Sequence, residues 1–142
     1  MPAIQKFLTK FRKGDFVCAV AFGSSNTERR LEGMHWFDCF ELACRKAIGR
    51  HLVCINSGWG GNTATQLMER IERDCLRYQP DLVFVTVGGN DSNPVRKISS
   101  RAFRKTYAEL IRRIRDEGGE PLLQTYYAFH REKMDPKFFD SF

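Results

Sequence analysis

Residues 81–91 read Asp81-Leu82-Val83-Phe84-Val85-Thr86-Val87-Gly88-Gly89-Asn90-Asp91. An apolar run rich in β-formers stops on small and polar residues, as a buried strand of a parallel sheet does. Two similar events precede it. The run at 16–22 ends in Gly23-Ser24-Ser25-Asn26-Thr27, and the run at 52–55 ends in Asn56-Ser57-Gly58-Trp59-Gly60-Gly61-Asn62-Thr63. In an open α/β sheet, ligands bind beyond the carboxyl ends of the strands. The three loops are therefore expected to converge on one site. They bring a serine, backbone N–H groups and a carboxamide, the groups needed to attack a carbonyl and hold its oxyanion.

Helical patterns separate these runs. Residues 36–48 place Trp36, Phe37, Phe40, Cys44, Ala47 and Ile48 at helical spacing, and Gly49 marks the end. Residues 63–78 carry Leu67, Met68, Ile71, Cys75 and Tyr78 on one face, with Pro80 as the stop. Residues 100–116 carry Phe103, Tyr107, Leu110, Ile111 and Ile114, ended by Gly118-Gly119. A short amphipathic helix is expected at 4–11 and a fourth strand at about 122–129. Strands alternating with helices imply βαβ units and a parallel sheet. The segment 131–142 holds Met134, Phe138, Phe139 and Phe142 but no strand pattern.

A chain of 142 residues suits one domain over 1–142, with 42% hydrophobic residues to build its core. No apolar stretch reaches the length of a membrane span, and the N-terminus has no signal-peptide pattern. A cytoplasmic location with no membrane contact is the expectation. The five cysteines, Cys18, Cys39, Cys44, Cys54 and Cys75, include no C-x-x-C pair. They read as reduced, mostly buried thiols, with no metal and no other cofactor. The net charge of +6 comes from cations such as Arg70, Arg73, Arg77, Arg101, Arg112 and Arg113. Glu69, Glu72, Asp74, Glu109 and Asp116 are interleaved with them, so they read as solvated helix faces rather than a nucleic-acid surface.

Taken singly, each loop motif has a plain structural use. Ser25 could form a turn or hold a phosphate, Asn62 or Thr63 could cap a helix, and Gly88-Gly89-Asn90-Asp91 could be a turn. Together, in this order, they resemble the SGNH hydrolases, the GDSL-type esterases and lipases. Gly23-Ser24-Ser25-Asn26-Thr27 is similar to the Gly-Asp-Ser-x-Thr block, Asn56 through Gly61-Asn62-Thr63 to the Asn-x-x-x-x-Gly-Asp-Thr block, and Gly88-Gly89-Asn90-Asp91 matches Gly-x-Asn-Asp in full. The resemblance implies a flavodoxin-like, three-layer α/β fold and a serine esterase acting on a small ester or acetylated substrate. It puts the nucleophile on Ser25 and oxyanion donors on Gly61 and Asn90. Two aspartates of the pattern are Ser24 and Asn62 here, which removes two negative charges beside the site.

The fourth block of that pattern, Asp-x-x-His, has no match anywhere in this sequence. The expectation is an N-terminal portion of a longer hydrolase, without the family's last strand and helix, whose His–Asp pair lies elsewhere. Of the three histidines, His51 begins the second strand, away from the site. His35 is a candidate for the pocket mouth or a substitute base, and His130, after the fourth strand, is the better internal candidate for a base. Three other readings remain. A phosphate- or flavin-binding flavodoxin-like module would explain the first loop but not the third. A non-catalytic fragment would pair its open sheet edge in a homodimer or with a missing C-terminal segment. Arginine-rich helices on nucleic acid are the third.

Overall fold

The computed structural model describes residues 3–30 and 32–125. Eight regular elements alternate along them: α1 (Ala3–Arg12), β1 (Val17–Gly23), α2 (Trp36–Ala47), β2 (Leu52–Gly58), α3 (Ala64–Asp74), β3 (Leu82–Thr86), α4 (Ser100–Asp116) and β4 (Glu120–Leu123). The strands form one parallel sheet in the order β2-β1-β3-β4. The chain moves outward one way from β1 to β2 and the other way from β3 to β4. The crevice between β1 and β3 is thus the switch point of the sheet, where ligands bind in open α/β folds.

Side-chain alternation along the strands builds two cores. Val17, Ala19 and Ala21 of β1 and Leu82 and Phe84 of β3 meet Phe7 and Phe11 of α1 and Phe37 of α2. Val20 and Phe22 of β1 and Val83 and Val85 of β3 meet Leu67 and Ile71 of α3 and Leu110 and Ile114 of α4. The three-layer α/β architecture expected from the sequence is the one present. Small alanines on β1 make room for an aromatic cluster, in which Phe40 lies edge-on to Phe84 with centroids 4.9 Å apart.

Several boundaries differ from the sequence expectation, for local reasons. β2 continues through Asn56, Ser57 and Gly58, because each pairs with β1: Ala21 with Asn56, Phe22 with Ser57, Gly23 with Gly58. The ladder overrides their turn-forming character. The expected helix at 63–78 breaks after Asp74 into a 3-10 turn, Leu76–Tyr78, closed by Gln79 in the left-handed conformation. Thr63 caps α3 through the Gln66 N–H, and the Gln66 side chain reaches back to the Thr63 N–H at 2.9 Å. β4 starts earlier than expected, at Glu120, with Pro121 paired to Val83 on the outer strand. The remainder of the expected fourth strand beyond Thr125, together with His130 and the apolar tail, lies outside the described residues.

The thiols are less buried than expected. Cys75 is buried, Cys18, Cys44 and Cys54 are half-buried, and Cys39 is exposed; all five are free. No helix among the described residues is long and apolar enough to cross a membrane.

Candidate active site

Sheet register brings the three loops together. Gly23 pairs with Gly58 on one side and with Thr86 on the other. From this one row, Ser25 follows two residues after Gly23, Gly61 three after Gly58, and Asn90 four after Thr86. Equal strand endings turn three distant sequence motifs into one rim.

The loop of Ser25 is a tight turn. The Ser24 carbonyl accepts from the Thr27 N–H at 3.0 Å and the Glu28 N–H at 2.9 Å, and the Ser24 N–H donates to the Thr86 carbonyl at 3.1 Å. Ser24 and Thr27 are fully buried, while Ser25 is half-buried at the bend. Gly58 lets this turn lie against β2, since a Cβ there would meet the backbone of Thr27 and Glu28. Asn56 stitches the same contact: its Nδ2 donates to the Thr27 carbonyl at 2.8 Å and its Oδ1 accepts the Gly58 N–H at 2.9 Å.

The second and third loops are joined directly. Gly61 adopts φ +79°, a left-handed conformation that glycine tolerates best. The Asn90 Nδ2 donates to the carbonyl of Asn62, the next residue, at 2.9 Å. A carboxamide nitrogen carries two hydrogens, so one remains for a ligand. Asp91 is buried and accepts the Ala64 N–H, at the start of α3, at 2.9 Å. Its other oxygen has no partner among the described residues. Burial pushes the Asp91 carboxyl above its usual range, against the opposing pull of the Ala64 N–H.

A cleft of about 470 Å³ opens beside Ser25, lined also by Glu28, Arg30, Glu32, Met34 and His35. The Arg30 guanidinium pairs with Glu28 and holds its carboxyl below the usual range, helped by the Gly60 N–H. His35 lines the cleft, and its ring is committed. Its Nδ1 caps α2 by accepting the Phe37 N–H at 3.5 Å, and its Nε2 faces the Asn26 carbonyl at 3.3 Å. With Nδ1 accepting, Nε2 is the ring nitrogen that donates to the Asn26 carbonyl. His51 lies at the opposite end of the sheet, with its Nε2 2.7 Å from the Phe11 carbonyl.

Arg70 is the residue that sequence reasoning misplaced. Read as part of a solvated basic face, it is 7% exposed beneath the site. Its Nε donates to Asn62 Oδ1 at 2.7 Å, its Nη1 to the Ser57 carbonyl at 2.9 Å and Asp74 at 3.1 Å, and its Nη2 to the Gly23 carbonyl at 3.0 Å. It also lies over the Phe22 ring, 4.7 Å from the centroid. Burial lowers its pKa and Asp74 opposes that. The available signal was positional. Residue 70 stands between Leu67 and Ile71 on the buried side of α3, whereas Arg73 and Arg77 do not.

Known proteins share this fold. Residues 21–140 match the model of the GDSL-like Lipase/Acylhydrolase family. Among solved structures, the acetyl xylan esterase AlAXEase superposes with a TM-score of 0.73 at 25% identity, covering 88% of this chain and 67% of that one. The lipase/acylhydrolase from Enterococcus faecalis superposes with a TM-score of 0.70 at 25% identity, covering 88% and 66%. An uncharacterized lipoprotein of Bacillus subtilis (strain 168), YqeF, is 28% identical over 75% of this chain. The chain spans 46% of that relative's length.

Proposed function

The chain belongs to the GDSL-like lipase/acylhydrolase family, and from that premise we propose that it hydrolyses carboxylic esters with Ser25 as nucleophile. The observation that carries this proposal is the common row of Gly23, Gly58 and Thr86, which sends Ser25, Gly61 and Asn90 to one rim. Ser25 Oγ attacks the ester carbonyl, and the carbonyl oxygen becomes an anion. The Ser25 and Gly61 N–H groups and the second hydrogen of Asn90 Nδ2 hold that anion. Collapse expels the alcohol, whose oxygen takes the proton that the base removed from Ser25, and leaves an acyl-serine, which water cleaves to the carboxylic acid and free Ser25. These residues need no metal or organic cofactor for that sequence of steps.

The charged side chains at the cleft, Glu28, Arg30 and Glu32, favour a polar ester over a long acyl chain. An acetylated substrate agrees with the name of AlAXEase, an acetyl xylan esterase. The base must deprotonate Ser25 Oγ. This sequence has no Asp-x-x-His, and His35 is engaged as a helix cap. We assign the base to His130 or to a histidine supplied from outside these residues.

Hydrolysis of p-nitrophenyl acetate tests the proposal, with Ser25→Ala, Asn90→Ala and His130→Ala in parallel. The expected outcome is a wild-type rate abolished by Ser25→Ala. Loss of one oxyanion donor in Asn90→Ala lowers kcat by about 100-fold or more. Loss of the rate in His130→Ala assigns the base to His130, and its retention assigns it to another group. A wild-type rate above background that survives Ser25→Ala contradicts the nucleophile.

A further inference from the structure

We infer that Arg70 is a positioning residue for the oxyanion site, acting through Asn62 on Asn90; this rests on the proposed role of Asn90. The guanidinium spans three separate chain segments: the end of β1 at Gly23, the end of β2 at Ser57, and the loop after β2 at Asn62. Arginine suits this place because its planar fork holds several acceptors in fixed directions, which a lysine ammonium cannot do. Its contact with Asn62 fixes the side chain of the residue that follows Gly61. The backbone carbonyl of Asn62 in turn accepts the Asn90 carboxamide. Asn62 thus joins Arg70, bonded to its side chain, to the proposed oxyanion donor, bonded to its backbone carbonyl, while a second contact holds the strand that leads to Ser25.

The charge pattern fits this use. Residue 62 is a neutral carboxamide, so it orients the guanidinium without neutralising it. Asp74, one helical turn after Arg70, supplies the negative charge, and Arg73 shares it. A buried cation with a paired carboxylate is stable enough to keep, and costly to leave half-made. The neutral contact at Asn62 adds no carboxylate at that position, where one would repel developing negative charge.

The test compares Arg70→Met, Arg70→Lys and Asn62→Ala with the wild type in two ways. Side-chain amide spectra, recorded by ¹⁵N–¹H NMR, follow the Asn90 carboxamide and require no activity. The p-nitrophenyl acetate assay follows kcat and KM. The expected result is a shifted Asn90 carboxamide signal in Arg70→Met and Asn62→Ala. With it, kcat falls by up to about 100-fold, as for a misplaced catalytic group, and KM stays unchanged. Arg70→Lys keeps the charge but restores only part of kcat. Should Arg70→Met fail to fold, Asn62→Ala carries the comparison with Arg70 intact. Cooperatively folded variants with an unshifted Asn90 signal would overturn the inference. Wild-type hydrolysis that persists in Ser25→Ala would instead remove the esterase proposal, and the spectra alone would still decide the path from Arg70 to Asn90.

Discussion

Cys75 has no exposed surface, and burial pushes its thiol up from the ordinary value of 9.0 to about 12. Burial likewise lifts Cys54 to about 12 and Cys18 to about 11, where the Asp81 carboxylate adds to the effect. Above pH 9 the unfolded chain releases thiol protons that the folded chain retains. Stability is therefore complete below that pH and falls as pH rises, until the folded thiols titrate near 11 to 12. Urea denaturation between about pH 7.5 and about pH 10.5 should show this decline, and Cys75→Ala should show a shallower one. An equal slope in both would contradict the burial argument. At this scale the sequence was readable at the strand endings, from which the loops of Ser25, Gly61 and Asn90 leave one row of the sheet. It was not readable at Arg70, since a cation among Glu69, Glu72 and Asp74 has the composition of a solvated face. Only the position of Arg70 beside Leu67 and Ile71, facing inward, separates it from Arg73.

β2 is the element that most shapes the site. Its last three residues look like a turn by composition, but they complete a seven-residue ladder with β1. Gly58 ends that ladder where the Ser25 loop crosses, and a methyl group there would collide with the Thr27 and Glu28 backbone. Backbone cannot swing aside as a side chain can. Gly58→Ala should therefore destabilise the fold by about 1–3 kcal/mol and lower any Ser25-dependent rate. A urea midpoint unchanged from the wild type would show that the two segments are not in close contact. The helices were more legible than the strand ends. α4 occupies Ser100–Asp116, as its apolar spacing and the following glycines indicate. α3 ends early because Cys75 leaves helical geometry, with ψ −67° and φ −134°, and the chain continues as a 3-10 turn. Apolar spacing carries no mark of that change, since Cys75 and Leu76 stay buried on either side of it.

Across the whole molecule, two apolar cores on opposite faces of one sheet fix the strands in a single register. The loops can then carry polar and small residues without weakening the fold. The alternation of runs and helical patterns was enough to give this architecture, because a parallel sheet buried on both faces writes near-continuous apolar strands into the sequence. The convergence of the three loops follows from strand order, with β1 and β3 adjacent at the switch point. The base is the part that neither the described residues nor a sequence motif provides, which is why nucleophile and oxyanion donors carry the proposal. The most direct measurement is covalent: incubation with a fluorophosphonate, followed by peptide mass spectrometry. The predicted result is a single adduct on Ser25, formed more slowly in Asn90→Ala and absent in Ser25→Ala. An adduct on another serine with Ser25 unmodified, or one that persists in Ser25→Ala, would contradict Ser25 as the nucleophile.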